Sequence, residues 1–143
     1  MNAKIINKQT LREAINISFD SDKEILSLYD SSVPVKSVFD VCENVYFKVM
    51  NFYSESEFYG IYEKESLIGY FVCSFGQLIS FSLNYKFRTR SYLRLFFKLI
   101  KKRTGSPFVC YLYSKNIRGI KWLMKNKMVI DGENGKVTRL VYV

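Results

Sequence analysis

The stretch Gln77 to Lys102, QLISFSLNYKFRTRSYLRLFFKLIKK, constrains the fold more than any other. Gln77–Tyr85 is rich in β-branched and aromatic residues and holds neither Pro nor Gly, which predicts a buried or half-buried strand. Lys86, Arg88 and Arg90 crowd the turn that follows, and Ser91 offers an N-cap oxygen to a helix running to about Lys102. Leu93, Phe96, Phe97 and Ile100 recur along it at three- and four-residue steps, and Arg94, Lys98, Lys101 and Lys102 fill the remaining face. A helix N-terminus flanked by arginines suits an anion, usually a phosphate. Free N–H groups, the partial positive charge of the helix end and guanidinium donors act together there. A basic solvated turn between two core elements is the alternative reading of the same residues.

The charge around this stretch is unevenly placed. Residues 1–65 hold 7 Lys/Arg against 11 Asp/Glu, whereas residues 66–143 hold 15 against 2, within a net charge of +9. No acidic residue lies between Glu65 and Asp131. Such asymmetry builds a surface that attracts anions: a phosphorylated cofactor, a nucleic acid or an acidic protein. The chain has no His, which removes His-based triads and the commonest metal ligand, so no metal site is expected. Cys42, Cys73 and Cys110 are odd in number and far apart, and read as small core residues in a reducing compartment. No apolar run reaches the ~18 residues a membrane span needs, and the N-terminus has no signal-like apolar segment, so a cytoplasmic protein is expected.

The 143 residues predict one domain, 1–143. Lys4–Asn7 reads as a short edge strand. Thr10-Leu-Arg-Glu13 and Ser21-Asp-Lys-Glu24 each fit a capping box, ahead of one bent helix or two short ones. Ser31–Pro34 is a break, and Val38, Val41, Cys42, Val45 and Val49 predict a helix over about 36–51. Phe58–Glu63 and Leu67–Ser74 read as a hairpin, continued by the Gln77 strand into an antiparallel meander. Phe108–Tyr113 is a strand, Lys115–Asn126 a helix, and Met128–Ile130 with Val137–Val143 a last hairpin, whose Val137–Val143 strand is a candidate edge for dimer pairing. The fold class is therefore α/β: a mixed, mostly antiparallel sheet flanked by helices. The Gln77 strand, its helix and Phe108–Tyr113 form the one parallel β-α-β crossover.

This element order resembles the GNAT superfamily, the Gcn5-related N-acetyltransferases, over nearly the whole chain. Two stretches carry the resemblance. Leu83-Asn-Tyr-Lys-Phe-Arg88 is similar to the family's V-x-P-x-Y-R lead into the acetyl-CoA loop. Val109–Met128 is similar to its fifth strand, Asn and N-x-x-A-I-x-L-Y-x-K-x-G-F helix, with Asn116, Gly119, Ile120, Lys125 and Met128 in register. The chain also resembles the small GNAT-like proteins that tailed phages carry, which implies a host cytoplasm or a virion as its location. The resemblance implies acetyl-CoA as cofactor and an amine acceptor. It implies that the backbone of Ser82, Leu83 and Asn84 pairs with the pantetheine arm, and that Arg88, Thr89, Arg90, Ser91, Tyr92 and Leu93 form the pyrophosphate loop.

The sequence also departs from the family's pattern. The small residues of the loop's R/Q-x-x-G-x-G/A pattern are replaced by Ser91 and Leu93. The usual Glu base on the fourth strand aligns with Gln77, and the usual Tyr acid on the last helix with Leu123. Neither replacement transfers a proton near neutral pH. Tyr111, Tyr113 and Ser114 are the remaining candidate proton donors; Tyr111 and Tyr113 read more readily as ordinary strand aromatics. Asn116 either touches the cofactor or caps its helix. Three functions follow in order: an N-acetyltransferase, a degenerate GNAT fold that binds a partner, and direct nucleic-acid binding through the basic C-terminal half.

Overall fold

The fold is given by a computed structural model that describes residues 1–29 and 35–143. Seven strands form one sheet: β1 (Asn2–Ile5), β2 (Glu57–Glu63), β3 (Ser66–Ser74), β4 (Gln77–Leu83), β5 (Phe108–Tyr113), β6 (Val129–Glu133) and β7 (Val137–Tyr142). Their order is β1-β2-β3-β4-β5-β7-β6. Among the described residues only β4 and β5 pair in parallel. The α-helices are α1 (Lys8–Phe19), α2 (Val38–Phe52), α3 (Arg90–Thr104) and α4 (Ile117–Lys125), with 3-10 turns at Lys23–Leu28 and Tyr85–Phe87. This is the mixed α/β sheet with one parallel crossover that the sequence predicts.

Helices cover both faces of the sheet. Leu11, Ile15, Val41 and Val49 of α1 and α2 pack on Tyr70 and Val72. Phe96, Ile100 and Leu123 of α3 and α4 pack on Phe71, Phe108 and Leu140 from the other side. A strand buried on both faces needs no polar alternation, which is why β3 reads Ile68-Gly-Tyr-Phe-Val-Cys73 and all six residues are buried. Cys42, Cys73 and Cys110 are reduced and buried, as small core residues should be.

Several local expectations shift. The first helix starts at Lys8, because Asn7 is its cap and accepts from the Thr10 amide at 2.8 Å. Thr10 is therefore a donor in the first turn, and Asn7 is lost to the first strand. Ser21–Glu24 forms no capping box. Ser21 lies at φ 61°, and Asp22 makes no cap hydrogen bond. Its carboxylate is drawn to two arginines instead. The third helix is capped at Thr89, not Ser91, which sits inside the first turn. The Gln77 strand ends at Leu83, where the Asn84 side chain accepts from the Lys86 amide and bends the chain into the 3-10 turn. β7 lies between β5 and β6, so the open edge at that end of the sheet is β6 rather than Val137–Val143. The break read at Ser31–Pro34 lies outside the described residues.

One irregularity matters most for function. Val72 pairs with Ser80 and Cys73 with Leu78, which leaves Ile79 as an extra residue in β4. A bulge bends and twists the strand that carries it. β4 keeps its parallel register with β5 only at Gln77↔Val109 and Leu78↔Cys110. Beyond Leu78 the two strands separate.

Candidate functional site

The gap between β4 and β5 opens into a cleft of about 270 Å³. Its walls come from the end of β4 (Phe81, Ser82, Leu83), the turn before α3 (Arg88), α3 (Leu93, Phe96) and the start of α4 with its cap (Asn116, Arg118, Gly119, Trp122), with Phe19 and Ile25 beside them. The aromatic side is rigidly built. Trp122 stacks on Phe96 at 5.6 Å and meets Phe81 at 5.4 Å. The cleft continues outward into a groove between α3 and α4, lined by Arg90, Arg94, Arg118, Lys121 and Lys125 around Leu93, Trp122 and Asn126. Thr89 makes no side-chain hydrogen bond at the cap of α3. The cap thus leaves the first-turn N–H groups facing the anion-attracting end of the helix without a side-chain acceptor.

Arg88 does not join this groove. Its Nε donates to the Leu83 carbonyl at 2.6 Å, and a terminal nitrogen lies 2.9 Å from the Asp22 carboxylate. The other terminal nitrogen reaches the Ser18 carbonyl and the Ser82 hydroxyl, each at 3.4 Å. The guanidinium is thus spent inside the protein, tying the Lys23–Leu28 turn and α1 to β4. Asp22, 3% exposed, also takes Arg118 at 3.0 Å. Burial works to raise the Asp22 carboxyl, but the charges and hydrogen bonds of Arg88 and Arg118 outweigh it and hold the group below its ordinary range. Arg118 reaches Glu24 as well, at 3.1 Å.

The other residues singled out from the sequence divide three ways. Ser82, Leu83, Leu93 and Asn116 line the cleft, and Arg90 lines the outer groove. Asn116 also caps α4, accepting from the Gly119 amide at 2.9 Å. A Cβ at 119 would sit 2.8–3.0 Å from the Asn116 side chain, so glycine there is what lets the cap close. Asn84 is structural: its Nδ2 donates to the Ile17 carbonyl at 2.8 Å. Thr89 and Ser91 are exposed at the start of α3, and Tyr92 packs edge-on against Phe87. Tyr113 and Ser114 do not line the cleft. The Tyr113 hydroxyl accepts from Lys48 of α2 and its ring meets Tyr29, while the Ser114 hydroxyl bonds Thr138 at 2.8 Å. Gln77 lies at the far, paired end of β4, and Leu123 is wholly in the core.

The sequence reading missed Trp122, Phe81 and Phe96 as cleft walls and Arg94, Arg118, Lys121 and Lys125 as groove cations. The last three carry a signal, since steps of three and four residues place them on one side of α4. The bulge at Ile79 carries none, because no Gly or Pro marks it. Among the described residues no cluster of His, Cys, Asp or Glu could hold a metal ion, and no helix is long and apolar enough to cross a membrane.

Compared by sequence, the chain matches no protein-family model and no curated protein. Compared by structure, it is similar to an acetyltransferase from Thermus thermophilus, with a TM-score of 0.70 at 9% identity, covering 99% of this chain and 97% of that one. It is similar to the PaiA N-acetyltransferase of Thermoplasma acidophilum in complex with coenzyme A, with a TM-score of 0.62 at 16% identity over 99% and 98% of the two chains. The spermidine N-acetyltransferase of Vibrio cholerae in complex with CoA and spermine also matches, with a TM-score of 0.62 at 12% identity over 99% and 94%. At these identities the likeness is one of architecture: the chain has the GNAT fold.

Proposed function

We propose that the chain is an N-acetyltransferase that takes its acyl group from acetyl-CoA and passes it to an amine. One observation carries this reading. A bulge at Ile79 parts β4 from β5, and the parting opens on a cleft that is apolar inside and cationic at its mouth. A long ligand with a neutral arm and a phosphorylated end fits that polarity. The end of β4 at Ser82 and Leu83 would lie along the arm. Arg90, Arg94, Arg118 and Lys121, with the α3 N-terminus, would hold the phosphates. Arg88, committed to Asp22, would form a fixed part of the cleft wall rather than a free phosphate clamp. The complexes of similar folds with coenzyme A, and with CoA and spermine, support the cofactor class and an amine acceptor.

Acetyl-CoA supplies the acyl group as a reactive thioester. The cleft supplies position: Trp122, Phe81 and Phe96 form a fixed wall, and holding an amine against a thioester replaces a bimolecular encounter by a local one. The acetyl group moves from sulfur to nitrogen, and the proton released by the amine ends on the thiol. Among the described residues the lining contains no carboxylate, Cys or Tyr, so slow transfer is expected. That same observation favours a second reading, a GNAT fold kept for ligand or partner binding without turnover.

Titration calorimetry with CoA and acetyl-CoA, followed by thiol release against a panel of primary amines, separates the two. Micromolar CoA binding with amine-dependent thiol release supports the enzyme. Binding without release supports the second reading. No heat at millimolar CoA overturns both uses of the cleft.

A further inference from the structure

The outer face of α3 carries a feature that cofactor binding does not absorb. Arg90, Arg94, Lys98 and Lys101 follow one another at steps of four, four and three residues, so they form one stripe along the helix, with Lys102 beside it. All five are exposed. α4 sets a second row, Arg118, Lys121 and Lys125, across the groove. Among the described residues the ion pairs reach only Arg118 of these eight cations. No carboxylate occurs in sequence between Glu65 and Asp131 to neutralise the rest. Like charges four residues apart on a helix repel one another, so the arrangement is most stable with an anion over it.

The charge exceeds what a coenzyme brings. CoA carries about four negative charges on its three phosphates, and its phosphates would lie between the N-terminal halves of α3 and α4. Lys98, Lys101 and Lys102 continue toward the C-terminal end of α3. From Arg90 to Lys102 the stripe runs roughly 18 Å at ~1.5 Å per residue. Over that length duplex DNA presents about ten charges, one per ~1.7 Å of axis. The stripe offers charge with little free aromatic face: the ring at its outer end, Tyr142, lies under Lys101 and stacks on Phe108. The one indole nearby, Trp122, is packed against Phe96, Phe97 and Phe81. Recognition of single strands and RNA loops relies on free aromatic faces. A backbone held by charge alone does not.

We infer that the α3–α4 surface, with Lys98, Lys101 and Lys102 at its outer end, is a docking site for the phosphate backbone of duplex DNA, bound without base specificity. The site stands whether or not the cleft transfers an acetyl group.

The test is fluorescence anisotropy with an end-labelled mixed-sequence DNA duplex of about 20 base pairs, over about 50–200 mM salt. The expected result is a Kd on the order of 1 µM at the low-salt end and a slope of log K against log salt near about −5, for roughly six phosphate contacts. The Lys98→Glu/Lys101→Glu/Lys102→Glu variant should flatten that slope by about three and weaken binding on the order of 100-fold at low salt. Its thermal midpoint and its calorimetric response to CoA should be unchanged. The milder Lys98→Gln/Lys101→Gln/Lys102→Gln variant should move binding in the same direction, which keeps the test valid if charge reversal disturbs folding. Three outcomes overturn the inference: no duplex binding at low salt, binding indifferent to both variants, or displacement of the duplex by polyglutamate of equal charge at equal concentration. The last would make the surface an indiscriminate or acidic-protein site.

Discussion

The guanidinium of Arg88 lies 2.9 Å from the carboxylate of Asp22. That pair places an arginine from the turn before α3 against the turn that follows α1, and the arginine forms part of one wall of the cleft. Arg118 completes the arrangement from α4 at 3.0 Å. Three elements distant in sequence thus meet on one carboxylate, and the cleft depends on their meeting.

Arg88→Ala is therefore expected to act on stability first. It leaves Asp22, 3% exposed, with half of its compensation. Removing one partner of a buried pair costs about 3–5 kcal/mol, with the low end expected because Arg118 remains. Urea unfolding measures it. The double variant Arg88→Met/Asp22→Asn should recover part of the loss, since no uncompensated charge stays buried. A variant that keeps its unfolding midpoint yet loses CoA binding would return Arg88 to the ligand.

Acid stability should report the same carboxylate. Asp22 is held below its ordinary value of 3.8, so the unfolded chain takes up its proton before the folded chain does. The pair's contribution is complete above that ordinary value and is lost as pH falls through the lower folded value. Unfolding midpoints measured downward from pH 6 should fall more steeply below about pH 4 for the native chain than for Asp22→Asn. Parallel curves would mean that Asp22 does not carry the linkage.

Leu93 stands at the junction of the cleft and the groove. Leu93→Ala should widen that passage and strengthen CoA binding several-fold by calorimetry. The stability loss should be about 1–2 kcal/mol, below the range for wholly buried leucines because this one is only half-buried. Weaker binding would show that the leucine contacts the ligand productively.

Gly69→Ala should damage the cleft from behind the sheet. A Cβ there would come within 2.6 Å of the Ser82 carbonyl and 3.1 Å of the Leu83 Cα. Those are backbone atoms of the cleft wall, and they cannot swing aside. A loss of about 1–3 kcal/mol with weakened CoA binding is expected. An unchanged unfolding curve would count against the tight β3–β4 register.

The elements were legible in the sequence because their signals are local. Among the described residues, alternating and helical apolar spacing located the strands and α2, α3 and α4 to within a few residues, while the first helical stretch reads from sequence as one bent helix or two short ones; the β5 boundaries Phe108–Tyr113 match outright. Glycines in the turns agree as well: Gly76 lies at φ 84° and Gly135 at φ 88°. Cap identity was less legible. Asn7 and Thr10, or Thr89 and Ser91, compete within one turn, and side-chain chemistry alone does not choose between them.

The sequence by itself determined the order of elements, the apolar faces that cover the sheet on both sides, and the concentration of positive charge on α3 and α4. Each of these is a property of residues a few positions apart. Only the tertiary structure decided which cations are free. Arg88 and Arg90 look equivalent in the chain, yet one is bound by a carboxylate 66 residues earlier and the other lines the groove. The tertiary structure also decided where β4 leaves β5. The extra residue at Ile79 is defined only by its pairing with β3, and no local propensity records it. Buried ion pairs and strand register are set by partners distant in the chain, and a cleft made of both exists only after the chain has closed on itself.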